Sequence, residues 1–318
     1  MFYIDQSKAE FIHARDEHYQ NIRYILKKKI FGKSFTEPHP KSLKKRINQV
    51  SGIDSNVLRF FKNESNLRDV LVGTPEVLDR IKNIFTKKKE LISIKKLINY
   101  DAFIDKNKDS TYGFYDGYDL AGNMQFGTCI YCNRLYTHTI ISNNGECVAR
   151  PTFDHWFPKG KFPLLALSFY NLIPSCTVCN SSVKGSQPLE LSEVFHPYFR
   201  HAHRSKQLNF RFSYTLEDHL RAKSKIIKRN KFTRDSIKAM KIEELYSRHE
   251  EDIRDLIFLK KAYSAGHLSS LKSLLKMPIR PEEVYRLAFG VHIEDAELVK
   301  RPLSKMKKDI LKELGIIP

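Results

Sequence analysis

The chain of 318 residues carries 55 Lys and Arg against 36 Asp and Glu, a formal net charge of +19. An excess of that size argues against an ordinary neutral metabolic enzyme and for a protein that meets a polyanion. With 41% hydrophobic and 12% aromatic residues there is material for a sizeable core, and only 13 Gly and 13 Pro exclude a collagen-like or linker-dominated chain.

Residues 1–20 lack the basic start, apolar run and small-residue cleavage site of a secretory signal, and no apolar run approaches the roughly 20 residues that span a bilayer. A cytoplasmic protein without membrane contact is expected. In that reducing compartment the five cysteines are read first as metal ligands rather than disulfide partners.

Residues 1–115 read as a basic helical region, with Tyr19, Ile22, Ile25 and Leu26 spaced for one face and Val77, Leu78, Ile81, Ile84 and Phe85 for another. Lysine-rich runs at Lys27 to Lys29, at Lys41, Lys44, Lys45 and Arg46, and at Lys87 to Lys89 suggest a basic surface. The texture changes in residues 116–204, which hold all the cysteines and the single tryptophan. Leu135–Ile141 and Cys147–Phe153 read as strands joined at Asn144-Gly145, a turn pair that tolerates positive φ. Phe162–Tyr170 reads as a short helix after Pro163, and Thr177–Lys184 as another, closed by Gly185.

Residues 205–318 return to a basic, mainly helical pattern. Asn209–Leu216 alternates like a strand, and Ile242, Leu245, Tyr246, Ile253, Leu256 and Ile257 mark an amphipathic helix. The densest basic stretch is 221–234, half of it Lys or Arg. No linker or internal repeat separates the parts, so the flanks are expected to pack around the middle segment.

Two C-x2-C pairs, Cys129 with Cys132 and Cys176 with Cys179, can enclose Zn²⁺ tetrahedrally, and such a closed site is structural rather than catalytic. The intervening segment is longer than the roughly 15 to 20 residues of a compact zinc ribbon, which points to an inserted functional element. Cys147, the odd one out, is expected to be a small buried hydrophobe.

Within that insertion stand Asp154-His155, then Asn171-Leu172, then Cys176-Thr177-Val178-Cys179-Asn180 running on to Lys184-Gly185. This order, over about 60 of the 318 residues, resembles the HNH (ββα-metal) endonuclease family. The resemblance implies an α+β protein: a zinc-stapled ββα-metal core embedded in mainly helical N- and C-terminal regions. It implies His155 as the general base for water, Asp154 and Asn180 as ligands of a catalytic Mg²⁺ or Mn²⁺, and Asn171 as the residue that orients the loop carrying the base. Both ligands are oxygen donors, which suits those ions, and one carboxylate with one amide is a sparse set. Free protein is therefore expected to hold Mg²⁺ weakly until DNA adds oxygens.

Asp154 and His155 would point to opposite faces of a regular strand, so serving one phosphate requires the strand to end there. Lys159, Lys161 and Lys184 are candidate phosphate contacts, while His196, His201 and His203 are left open between a part in the site and a structural one.

The expected function is metal-dependent hydrolysis of phosphodiesters in double-stranded DNA, leaving 5′-phosphate ends. The alternatives are a non-catalytic zinc-stabilised nucleic-acid-binding module and an HNH nuclease acting on RNA. More loosely, the helical flanks resemble anti-phage nucleases such as those of Septu, which work beside an ATPase; this chain has no Walker-type loop, so an ATPase would be a separate partner.

Overall fold

The computed structural model describes residues 1–41, 47–105, 110–217, 221–262 and 280–317. Lys44, Lys45 and Arg46 of the second lysine run lie outside the described residues. The chain is half helical, with 11% in small antiparallel strands, so the α+β expectation holds. Among the described residues one apolar cluster runs from Met1 through Trp156 to Ile317.

The N-terminal region is helical as expected. Its helices are α1 (Ala9–Phe31), α2 (Ser55–Lys62), α3 (Glu64–Val72), α4 (Pro75–Ile81), α5 (Lys88–Leu97) and α6 (Tyr100–Ile104), and α7 (Gly117–Met124) opens the middle segment. Short polar side chains set several starts: Asp54, Asn63, Asn99 and Asp116 each accept a backbone N–H of the first turn. On α1, Ala14, Ile22, Ile25 and Leu26 are buried at helical spacing. The second expected face is shorter than its pattern, because α4 stops at Ile81 and leaves Ile84 exposed. The first lysine run is not a solvated face either. Lys27 and Lys29 are buried, Lys27 paired with Glu64 at 2.6 Å and Lys29 donating to the Leu97 carbonyl at 2.9 Å.

In the middle segment, β1 (Ile140–Ile141) and β2 (Cys147–Ala149) form the expected hairpin, with Gly145 at φ +83° in its turn. Both strands are shorter than their sequence pattern. Thr128 and Tyr136 bridge, and Cys129 N–H donates to the Leu135 carbonyl, so residues 135–137 fold back on the first cysteine pair instead of extending the hairpin. Downstream, Pro151 has no N–H to continue a ladder and separates β2 from β3 (Thr152–His155), which pairs antiparallel with β4 (Leu172–Ser175).

The helix expected over Phe162–Tyr170 is replaced by two 3₁₀ turns, Pro163–Leu165 and Phe169–Asn171. The carbonyls that a helix would use internally are taken from outside. Asn171 Nδ2 donates to Leu165, while the His155 and His18 rings contact the carbonyls of Ala166 and Leu167 at 3.0 and 2.8 Å. The second expected helix forms over Val178–Lys184 with π geometry: Gly185, at φ +51°, donates to the Asn180 carbonyl five residues back.

The C-terminal region holds a long hairpin of β5 (Phe210–Leu216) and β6 (Ala222–Lys228), followed by α8 (Lys231–Ala239), α9 (Ile242–Tyr246), α10 (Glu250–Ala262), α11 (Pro281–Phe289) and α12 (Ser304–Glu313). β5 fulfils the expected strand, whereas the dense basic stretch is a strand-and-turn element feeding α8. Along β6 the cations Lys223 and Lys225 face out while Ala222 and Ile226 face the core. The amphipathic pattern of 242–257 is divided between α9 and α10, where His249 instead contacts Asp252 at 3.0 Å and Arg134 at 2.8 Å. No helix among the described residues is long and apolar enough to cross a membrane.

Candidate functional site

Cys129, Cys132, Cys176 and Cys179 are all buried, and their sulfurs lie within 4.8 Å of one another. Cys132 and Cys176 are 3.9 Å apart, close to the edge of about 3.8 Å expected for a tetrahedron with bonds of ~2.3 Å. The backbone favours anionic sulfur: Arg134 N–H points at Cys132 Sγ (3.4 Å) and Cys179 N–H at Cys176 Sγ (3.5 Å). Burial, together with the neighbouring sulfurs, pushes the Cys129 thiol well up. The four cysteines are thus positioned to hold one metal ion. Cys147 lies apart on β2 and is only half-buried, against the expectation of a buried position.

Asn133, directly after the first pair, has φ +54° and is almost wholly buried. Its Nδ2 donates to Thr128 Oγ1 and to the carbonyls of Leu298 and Arg301 at 2.9 to 3.1 Å, so the C-terminal region is anchored on the cysteine cluster.

His155 is the last residue of β3, so the strand ends where the expected chemistry needs it to. The two neighbours have different surroundings. Asp154 is 1% exposed, accepts from Tyr131 O–H at Oδ2 (2.7 Å) and faces Lys184 Nζ at Oδ1 (3.3 Å). Burial raises its pKa, and Lys184 and Tyr131 act in the opposite direction. His155 lies edge-on to the Tyr100 ring at 4.3 Å, with Nε2 at 3.0 Å from the Ala166 carbonyl. A carbonyl can only accept, so Nε2 carries the proton and Nδ1 is the basic nitrogen. Burial lowers the imidazole pKa to about 3, which keeps it neutral in the folded protein at ordinary pH.

Asn171 is fully buried and acts on backbone alone. Its Oδ1 accepts from Phe157 N–H (2.7 Å), and its Nδ2 donates to the carbonyls of Phe157 (3.0 Å) and Leu165 (2.9 Å). The amide therefore clamps both ends of the loop 157–165, immediately before the Ala166 carbonyl that holds His155. Asn180, in the π-helix, reaches the Phe153 carbonyl through Nδ2 at 3.5 Å. Asp154 and Asn180 thus offer one buried carboxylate, both of whose oxygens are already engaged by Tyr131 and Lys184, and one half-buried amide, a sparse set of oxygen donors of the kind a hard cation takes.

The three candidate phosphate lysines differ. Lys161 is exposed. Lys159 pairs with Asp101 at 2.6 Å and sits 4.7 Å over the Tyr100 ring, at the mouth of a 270 Å³ cleft also lined by Asn99, Gly160, Pro163 and Ala166. Lys184 is buried, donating to the His155 carbonyl at 2.6 Å, so it does not offer its charge at the surface. The later histidines make structural contacts: His196 Nδ1 accepts from Tyr198 N–H, His201 meets the Leu191 carbonyl and His203 meets Ser205.

Sequence reasoning missed Tyr131 and Tyr100. The available signal for Tyr131 was its position between Cys129 and Cys132, where the two buried cysteines constrain the backbone on either side of it; nothing local marks Tyr100. No family model matches the chain, and no curated protein or solved structure matches it either.

Proposed function

We propose that the protein is a metal-dependent endonuclease of the HNH type that hydrolyses phosphodiester bonds in double-stranded DNA, with structural Zn²⁺ on the four cysteines. The observation that carries the reading is the Asp154-His155 pair closing β3, its loop clamped by Asn171, with β4 leading straight into the helix that bears Asn180. His155 Nδ1, left unprotonated by the tautomer that the Ala166 carbonyl fixes, would take the proton from the attacking water once the negative charge of a bound phosphate raises the imidazole from its depressed pKa. Asp154 and Asn180 would hold Mg²⁺ or Mn²⁺, which when bound supplies positive charge for the phosphate and the leaving oxygen. Lys159 exchanges Asp101 for a substrate phosphate at the cleft, and exposed Lys161 supplies a further cation two residues on. A binding module without catalysis would have no use for a neutral histidine held with one free acceptor next to a buried carboxylate.

Supercoiled plasmid incubated with protein and Mn²⁺ should be nicked to products with 5′-phosphate ends, and EDTA should stop the reaction. Faster cutting of RNA than of DNA would redirect the proposal to RNA.

The outward cations of β6 and its flank are proposed to grip backbone phosphates without reading bases, since Lys makes point-charge contacts. Replacing Lys223, Lys225, Arg229 and Arg234 with Gln is expected to flatten the salt dependence of DNA binding by about one log–log unit for each phosphate that is no longer neutralised. An unchanged slope would assign this face to solvent or to a protein partner, such as the ATPase that the looser resemblance suggests.

A further inference from the structure

Lys184 is the feature of the site that the mechanism above does not use. Its side chain and that of Asp154 are 0% and 2% exposed, Nζ lies 3.3 Å from Asp154 Oδ1, and the same ammonium donates to the His155 carbonyl at 2.6 Å. The ammonium thus bridges the Asp154 carboxylate and the His155 backbone and holds the two in one arrangement.

We infer that Lys184 is a positioning residue whose ammonium is the resident cation of Asp154, fixing the carboxylate beside the His155 backbone and ceding that place when a divalent ion binds. The inference rests on the nuclease reading, in which Asp154 is the carboxylate ligand. Tyr131 O–H occupies Oδ2, so Oδ1 is the oxygen on which the two cations meet. A divalent ion ligated there would stand within a few ångströms of the ammonium, and like charges at that distance in a buried site repel strongly. The ion and Lys184 therefore compete.

The local geometry supports an exchange of this kind. Lys184 is the last residue of the π-helix and Asn180 lies four residues earlier, both directed at β3, so the amide proposed for the metal and the lysine that must yield belong to one element. The lysine's hydrogen bond to the His155 carbonyl does not depend on Asp154, so the ammonium has somewhere to remain when it leaves the carboxylate. Metal loading would then be weak in free protein and would strengthen when substrate oxygens add to the ion's coordination.

The test is a Mn²⁺ titration of the full chain without DNA, followed by electron paramagnetic resonance of the free ion. Lys184→Gln should bind Mn²⁺ at least tenfold more tightly than wild type, Lys184→Arg no more tightly, and adding Asp154→Asn should remove the gain. In cleavage, Lys184→Gln should lower kcat at least tenfold with DNA affinity within twofold of wild type. A lysine with a merely structural role would not tighten metal binding when removed, so equal or weaker Mn²⁺ binding by Lys184→Gln overturns the inference. Should that variant fail to fold, the side-chain ¹⁵N signal of Lys184 in wild type gives the answer. It should shift when Mg²⁺ and uncleavable DNA are added, and an unmoved signal overturns the inference. The nuclease reading fails separately: if Asp154→Asn leaves Mn²⁺ binding to the DNA complex unchanged, Asp154 is no ligand and both fall.

Discussion

Replacing Cys176 with serine is expected to lower the melting temperature by about 10 °C or more and to abolish stoichiometric zinc, which wild type should hold at about one ion per chain. A structural zinc contributes on the order of 10 kcal/mol in small zinc domains, and losing one of four ligands forfeits a large part of that. In this fold the effect extends to the candidate site. Tyr131, between the first pair of cysteines, supplies one partner of Asp154, and the helix that begins between Cys176 and Cys179 supplies the other, Lys184. Without the metal the carboxylate loses control of both its oxygens. Elemental analysis and thermal unfolding check this together; folded, zinc-free protein with an unchanged melting temperature would remove the staple from the account.

Acid should unfold the protein at a pH where most proteins of its size are stable. His18 and His196 are fully buried and His155 nearly so, and burial lowers their pKa values to about 4, about 3 and about 3, taken as His18, His155 and His196 in turn. In the unfolded chain each returns to roughly 6.5. Between those values the unfolded state binds protons that the native state refuses, so stability is fully present above about pH 6.5 and is lost as pH falls. Each excluded proton is worth about 1.4 kcal/mol per pH unit, so near pH 5 the slope approaches about 4 kcal/mol per unit. Asp154 and Asp309, whose carboxyl pKa values burial raises, act in the opposite sense and soften the loss. Against a typical total of about 5 to 15 kcal/mol, most of the stability should be gone near pH 4.5. Urea unfolding from pH 7 to pH 4.5 measures it. The double variant His18→Phe/His196→Phe should flatten the curve, and an equally steep curve would place the lost protons elsewhere.

The parts of the site that were legible in the sequence are those whose chemistry is local. Two cysteines three apart bend toward one centre whatever surrounds them, Asn144-Gly145 specifies its own turn, and Gly185 ends its helix because it adopts positive φ there. The rest depended on contacts distant in sequence. The helical pattern of Phe162–Tyr170 was overridden by side chains that claim its carbonyls, among them His18, which is 149 residues away from Leu167. Lys184 looked like a surface cation because a lysine's burial depends on its partner, and Asp154 stands thirty positions earlier across two strands. The dense charge of 221–234 hid a strand, since its apolar positions, Ala222 and Ile226, are few and only the pairing with Phe210–Leu216 gives them a face to bury.

The central claim is that this chain cuts DNA with His155 as its base, and the most direct test compares wild type with His155→Ala on supercoiled plasmid in Mn²⁺. The variant should bind DNA as tightly as wild type and keep its zinc, because a general base acts in the transition state and adds little to ground-state affinity. Its single-turnover cleavage should fall by about 10² to 10⁴-fold. Undiminished cutting by His155→Ala, or a wild type that binds plasmid tightly in Mn²⁺ and leaves it intact, would contradict the account.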